Sequence, residues 1–188
     1  MSDSGFAALL AHPGTANDAV RRVAARVEPA GTDSLRFRYV LEADPKRVRV
    51  PPPAVNARRA DKLWAHTCFE AFVGLPQSPR YLELNFSPSG EWAAYRFESY
   101  RAGMGPAALA ADPRLELRRN GARLELQAEV RLSGTEVAGS RRLRLALSTV
   151  VEDGEGRLSY WALRHAPGRP DFHHPDSFSL ALELPATP

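Results

Sequence analysis

In the stretch LWAHTCFEAFVG, Leu63 to Gly74, a tryptophan, a histidine, the chain's single cysteine, a glutamate and a phenylalanine recur at every second position. As a β-strand, this spacing sends Trp64, His66, Cys68, Glu70 and Phe72 to one face and Ala65, Thr67, Phe69, Ala71 and Val73 to the other. A thiol beside an imidazole is the raw material of nucleophilic catalysis. Neighbours at i and i+2 of one strand are not thereby oriented as an acid–base pair, however, and no nucleophile turn accompanies them. Cys68 reads more simply as a small buried side chain. Two further runs, RYLELNFS and EWAAYRFE, are joined by PSG and alternate in the same way. With Leu82, Leu84 and Phe86 in the core, Glu83 and Asn85 face outward, and Trp92, Arg96 and the mixed face of the opening strand, with Trp64, His66 and Glu70, are expected to join them as ligand-binding residues. The result is a polar and aromatic surface suited to a sugar: aromatic faces for the apolar side of a pyranose, and carboxylate, amide and guanidinium groups for its hydroxyls. The competing reading is a solvated outer sheet face with Trp92 covered by a loop. Glu70 and Glu83 would suit glycosidase work at a carboxyl separation of roughly 5 to 9 Å, which the sequence does not supply.

A second constellation lies in WALRHAPGRPDFHHPDSF. Trp161, Leu163 and His165 share one face of an expected strand, and the loop behind them carries Asp171, His173, His174 and Asp176. Trp161 and His165 are therefore added to the candidate ligand-binding residues. Histidines and carboxylates of this kind suit zinc or iron, with His66 approaching from another strand, which keeps a metal-assisted hydrolase open as an alternative. Adjacent His173 and His174 do not converge on one centre in an extended chain, and no HExxH spacing is present. A loop that closes one end of the fold accounts for the same residues. Met104 and His165 form a conceivable haem pair, but axial ligands alone do not make a haem pocket. No cofactor is specified.

The elements that must position these groups are strands. SLRFRYVLEA alternates as a half-buried strand. RLELRRNGARLELQAEVRL is a hairpin with Asn120-Gly121 as its turn pair. RRLRLALSTVVE, RLSYWALRH and SFSLALEL follow in the same style. NDAVRRVAARVEPAG carries valines at helical spacing but is β-branched, and a strand is expected there. RAGMGPAALAADP is expected to hold one short helix. Pro51, Pro52 and Pro53 lack backbone donors, so the loop near residues 45–62 is extended and outside any sheet. Short strands at regular intervals with turns between them predict an all-β fold, an antiparallel β-sandwich or barrel, as one domain over residues 1–188.

Composition agrees. With 44% hydrophobic and 25% charged residues the chain belongs to the globular class, and no apolar span long enough for a membrane helix is present. One cysteine cannot build an internal disulfide framework. The start, MSDSGFAALLAHPG, lacks a basic secretory leader, so a cytoplasmic location is expected. The net charge of +3 raises the question of nucleic acid. Only Lys46 and Lys62 are lysines among 25 basic residues, and acids are interspersed along most of the chain, so neither a nucleic-acid nor a membrane partner is expected. A contact between the basic loop Lys46–Lys62 and another protein remains a third possibility.

LWAHTCFEAFVG, YLELNFSPSGEWAAYRFESYRAGM and SYWALRHAPGRPDFHHPDSF together resemble the bacterial DOMON-like proteins. That group is similar to the DOMON and family 9 carbohydrate-binding-module folds. The resemblance implies a jelly-roll-like sandwich of two antiparallel sheets, whose relatives bind sugars or haem in a pocket formed by one sheet and its loops. It implies a small-molecule or sugar ligand without assigning an activity.

Overall fold

The computed structural model describes residues 5–186. Residues 1–4 and 187–188, the two ends of the expected domain with Met1 among them, lie outside the described residues. The strands are β1 (Ala7–Ala11), β2 (Val20–Pro29), β3 (Ser34–Ala43), β4 (Val48–Arg49), β5 (Cys68–Gly74), β6 (Tyr81–Phe86), β7 (Trp92–Phe97), β8 (Gly105–Pro106), β9 (Arg114–Asn120), β10 (Arg123–Arg131), β11 (Arg142–Asp153), β12 (Leu158–Ala162) and β13 (Leu180–Glu183). The named strands pair antiparallel with one another, and the order runs β8-β7-β6-β5-β11-β12-β1-β2-β3-β10-β9, with β4 and β13 on the two ends of β11; Arg59 adds a single parallel bridge to Trp92 of β7. The fold turns on β1. Its first half, Ala7–Leu9, pairs with β2, and its second half, Leu10–Ala11, pairs with β12. One strand thus passes from one sheet to the other, and the ladder closes over itself as a sandwich.

The core between the sheets follows from alternation. Val23, Ala25, Leu35, Phe37, Tyr39, Leu41, Leu124, Leu126, Ala128 and Val130 come from one sheet; Phe69, Ala71, Val73, Leu82, Leu84, Phe86, Leu143, Leu145 and Leu147 come from the other. Phe37 packs on Phe86 and Tyr39 on Phe69, with ring centroids 5.7 and 5.0 Å apart. The buried Tyr39 hydroxyl donates to the Glu70 carbonyl at 2.7 Å, which satisfies the phenol and pins β5 against the opposite sheet.

Four local expectations are corrected. The strand expected over Leu63–Gly74 begins only at Cys68, because Lys62 takes a left-handed conformation and Leu63–Ala65 make a single 3-10 turn. The hairpin loop between β9 and β10 is Gly121-Ala122, one residue later than expected. Of these two only Gly121 has positive φ, which places glycine at the first central position, where a II′ turn needs it. No helix forms in Arg101–Pro113: Gly105 and Pro106 pair with β7, and the Ala107 N–H continues to the Ala94 carbonyl. Val48–Arg49, next to the prolines, do enter the sheet against β11. NDAVRRVAARVEPAG is a strand, as its β-branched content predicts; it forms β2 in a long ladder with β3.

Candidate functional site

The sheet formed by β7, β6, β5, β11 and β12 has a second face, turned away from the inter-sheet core, and that face is also largely buried. Phe72, Tyr81, Ala93, Tyr95, Phe97, Ala146, Val150 and Ala162 lie on it, covered by Phe172 and Phe178 from the loop after β12 and by Leu63 and Trp64 from the 3-10 turn. Strand register arranges the polar groups among these rings. Glu70 lies opposite Ser148 on β11 and Asn85 on β6, while Glu83 lies opposite Phe72 on β5 and Tyr95 on β7. The two glutamates are therefore diagonal neighbours on adjacent strands.

A cavity of about 390 Å³ opens over them, walled by Trp64, Phe97, Arg101, Tyr160, Phe172 and His173. That volume falls in the range of small-ligand sites. Glu70 and Glu83 are only 3% and 5% exposed, so both carboxyls meet the cavity from inside the protein. Burial, and then the neighbouring Glu83, push the Glu70 carboxyl well above the ordinary carboxylate range. Burial also raises Glu83, while the Asn85 amide, donating at 2.8 Å, and the nearby Arg101 hold it back. The face thus carries one carboxyl with partners and one without: Glu70 Oε1 has no hydrogen-bond partner.

A hydrogen-bonded latch holds the covering loop. Arg101, in a left-handed conformation after β7, donates from Nε and Nη2 to Asp171 Oδ1, and the Tyr100 hydroxyl donates to Asp171 Oδ2. Asp171 also accepts the His173 N–H at 3.0 Å. Burial works to raise the Asp171 carboxyl, yet the Arg101 and Tyr100 bonds outweigh it and hold it below the usual range. Burial lowers His173 to about 4, and the imidazole is neutral at pH 7. The Tyr81 hydroxyl accepts the Arg101 N–H and donates to His173 Nδ1 at 2.8 Å. That assignment leaves Nε2–H to point at Glu83 Oε2, 3.6 Å away.

The expected site residues separate into two groups. Trp64, Glu70 and Glu83 reach the cavity wall, with Asn85 behind Glu83. Trp64 arrives by the 3-10 turn and not by strand alternation, its ring edge-on to Tyr95 at 5.6 Å. Trp92, Arg96 and Trp161 lie on the opposite face, which corrects the expected surface. Trp92 pairs with Phe86, Arg96 with Leu82 and Trp161 with Thr149, and directly paired residues share a face. Trp92 and Trp161 fill the inter-sheet core, and Arg96 binds Glu98 at its edge. His66 is exposed and bonded to Glu152 at 2.7 Å. His165 bonds the Leu10 carbonyl and stands edge-on to His12, outside the cavity wall. The residues of the metal alternative are therefore dispersed, and among the described residues no group of three or more His, Cys, Asp or Glu is placed to hold an ion. Cys68 is fully buried with its thiol pushed up, first by burial and then by Glu70, so it packs.

Tyr160, Phe172, Phe97 and Arg101 complete the wall and were not among the expected binding residues. Tyr160 carries the usable sequence signal: it is one position out of phase with Trp161, on the face where Leu158 and Ala162 also lie. Phe172 and Arg101 come from loops, where no periodicity points to them.

The chain folds as a β-sandwich similar to those of family 9 carbohydrate-binding modules. Its fold is similar to that of a candidate carbohydrate-binding protein from Bacteroides uniformis ATCC 8492, with TM-score 0.64 and 17% identity over 86% of this chain and 78% of that one. It is similar also to family 9 carbohydrate-binding modules from Caldicellulosiruptor kristjanssonii. A complex with glucose gives TM-score 0.52 at 11% identity over 92% of this chain and 81% of that one. A complex with cellotriose gives 0.50 at 12% identity over 87% and 74%. No protein-family model matches the sequence, and no curated protein matches it.

Proposed function

We propose that this protein binds a carbohydrate in the cavity over Glu70 and Glu83, as a DOMON-like member of the sandwich group to which its structural neighbours belong. The observation that carries the reading is a pair of buried carboxyls at the floor of a ligand-sized cavity whose walls are aromatic. Trp64, Tyr160 and Phe172 offer apolar surface to the C–H faces of a pyranose. Glu70, Glu83 and the Arg101 guanidinium offer acceptors and donors to its polar edge. Two structural neighbours are complexes with glucose and cellotriose, which supports the ligand class at the level of the fold.

A glycan array followed by calorimetry on the full chain tests this. Binding of at least one mono- or disaccharide is expected, weakened about tenfold or more by Trp64→Ala and unchanged by Arg96→Ala on the opposite face. A blank array, or a sugar whose affinity ignores Trp64→Ala, would remove the proposal.

A further inference from the structure

This inference rests on the sugar-binding reading and names the class of sugar. A buried carboxyl normally has its oxygens satisfied by donors or a cation, because leaving them bare costs free energy. Glu70 departs from this. It is 3% exposed, its Oε1 has no partner, and the hydroxyl of Ser148, opposite it in register, has none either. Of the donors on the same face, the Asn85 amide is committed to Glu83, the Tyr81 hydroxyl to His173, and His173 Nε2 is directed at Glu83, while the Ser148 and Tyr160 hydroxyls make no bond to Glu70.

Charge is missing as well. Among the described residues that wall the cavity, Arg101 is the single Lys or Arg, and Asp171 already holds its guanidinium. The remaining titratable neighbours bring no positive charge. His173 is neutral at pH 7, and Cys68, Tyr39, Tyr81 and Tyr160 are all pushed upward, largely by burial, so they stay neutral too. Two carboxyls therefore share a buried floor with no counter-ion of their own beside Glu70, and the aromatic walls add quadrupoles that favour a cation.

We propose that the cavity selects an amino sugar, a pyranose with a free protonated amine whose ammonium group docks between Glu70 and Glu83. The ammonium supplies both what Oε1 lacks, an N–H donor, and what the pair lacks, a positive charge. Burial favours a proton on the carboxyl pair in the empty cavity; on docking, that proton leaves to solvent and the ammonium takes its place, with no covalent bond made or broken. N-acetylation removes the charge and two of the donors, so the acetylated sugar loses the interaction. A neutral hydroxyl can donate to Glu70 but leaves the charge uncompensated.

The test is calorimetry of the full chain with D-glucosamine, D-glucose and N-acetyl-D-glucosamine at pH 6, in two buffers of different ionisation enthalpy. Glucosamine is expected to bind at least tenfold more tightly than the other two and to release a proton, whereas glucose releases none. Glu70→Gln keeps the shape of the side chain and is expected to bring the three affinities within about threefold of one another. If Glu70→Gln does not fold, the buffer comparison on the unaltered protein decides alone. Equal or tighter binding of glucose, no proton release with glucosamine, or a preference that survives Glu70→Gln overturns the amino-sugar assignment and leaves sugar binding standing. No binding of any of the three, together with a blank glycan array, overturns both.

Discussion

The two sheets of the sandwich turn outer faces of opposite character to their surroundings. On the sheet of β2, β3, β10 and β9, the outward positions form a lattice of charges. Glu28 meets Arg26 at 2.8 Å and both Arg36 and Arg38 at 3.6 Å; Arg36 bonds Glu129, and Arg123 bridges Glu42 and Glu125. A depression of about 310 Å³ lies on this face, comparable in size to the cavity over Glu70, yet the arginines of its lining are already paired, Arg26 and Arg38 with Glu28, Arg118 with Glu116, and Arg123 with Glu42 and Glu125. On the other sheet the charges are fewer and deeper, and the floor of the cavity carries two buried carboxyls. Volume does not separate the two faces. The difference is whether the polar groups already have partners, and a face that has completed its own pairing has little left to offer a ligand.

The largest expected effect comes from breaking the aromatic cover. Phe72 is fully buried beneath the loop, 5.0 Å from the His173 ring and 6.2 Å from Phe178. Phe72→Ala should cost about 3–5 kcal/mol and lower Tm by roughly 10 °C, read by thermal unfolding. A loss under about 1 kcal/mol would show that this face is not packed as described. Next is the latch. Asp171→Ala removes the acceptor shared by Arg101, Tyr100 and the His173 N–H, and should cost about 2 kcal/mol. Limited proteolysis should then cut between residues 163 and 178 before the strands; an unchanged digestion pattern would mean the loop is held by other contacts.

The carboxyl pair gives an effect with a sign. Glu70 and Glu83 have folded-state values raised above the ordinary carboxylate value, so the folded protein binds more protons than the unfolded chain between that value and the raised ones. Their protonation therefore supports the fold fully at acid pH, and this support is lost as pH rises through that window, at up to about 1.4 kcal/mol per pH unit for each group. Glu70→Gln should flatten the loss, so that unfolding measured at pH 5 and pH 8 differs less in the variant than in the natural chain. An equal difference in both would place the titration elsewhere.

Much of this contrast was legible in the sequence and part was not. Period-two alternation sorted β5, β6 and β7 into faces correctly, since Leu82, Leu84 and Phe86 fill the core and Tyr81, Glu83 and Asn85 lie on the other side. What alternation within one strand cannot give is which face of the next strand lies beside it. That depends on register: the pairings of Phe86 with Trp92 and of Thr149 with Trp161 send two of the three expected tryptophans into the core, while Trp64 reaches the cavity. The loop residues were illegible for a different reason. Arg101 and Asp171 are far apart in sequence and meet only through a turn at positive φ, which leaves no periodic trace.

The smallest effect belongs to the charged lattice and tests the comparison from its other side. Glu28 contacts three arginines, but its side chain is 23% exposed and the arginines are 32–37% exposed, so water screens each pair. Glu28→Gln should therefore cost at most about 1 kcal/mol, and the cost should shrink further in high salt because exposed pairs lose their attraction to screening. Sugar affinity should not move, since the opposite sheet and the whole inter-sheet core separate Glu28 from Glu70. Chemical denaturation at low and high ionic strength, with calorimetry beside it, measures both. A loss of several kcal/mol, insensitive to salt, would mean that the lattice is held as a dry network, and the two faces would then differ in charge balance but not in how tightly their polar groups are built.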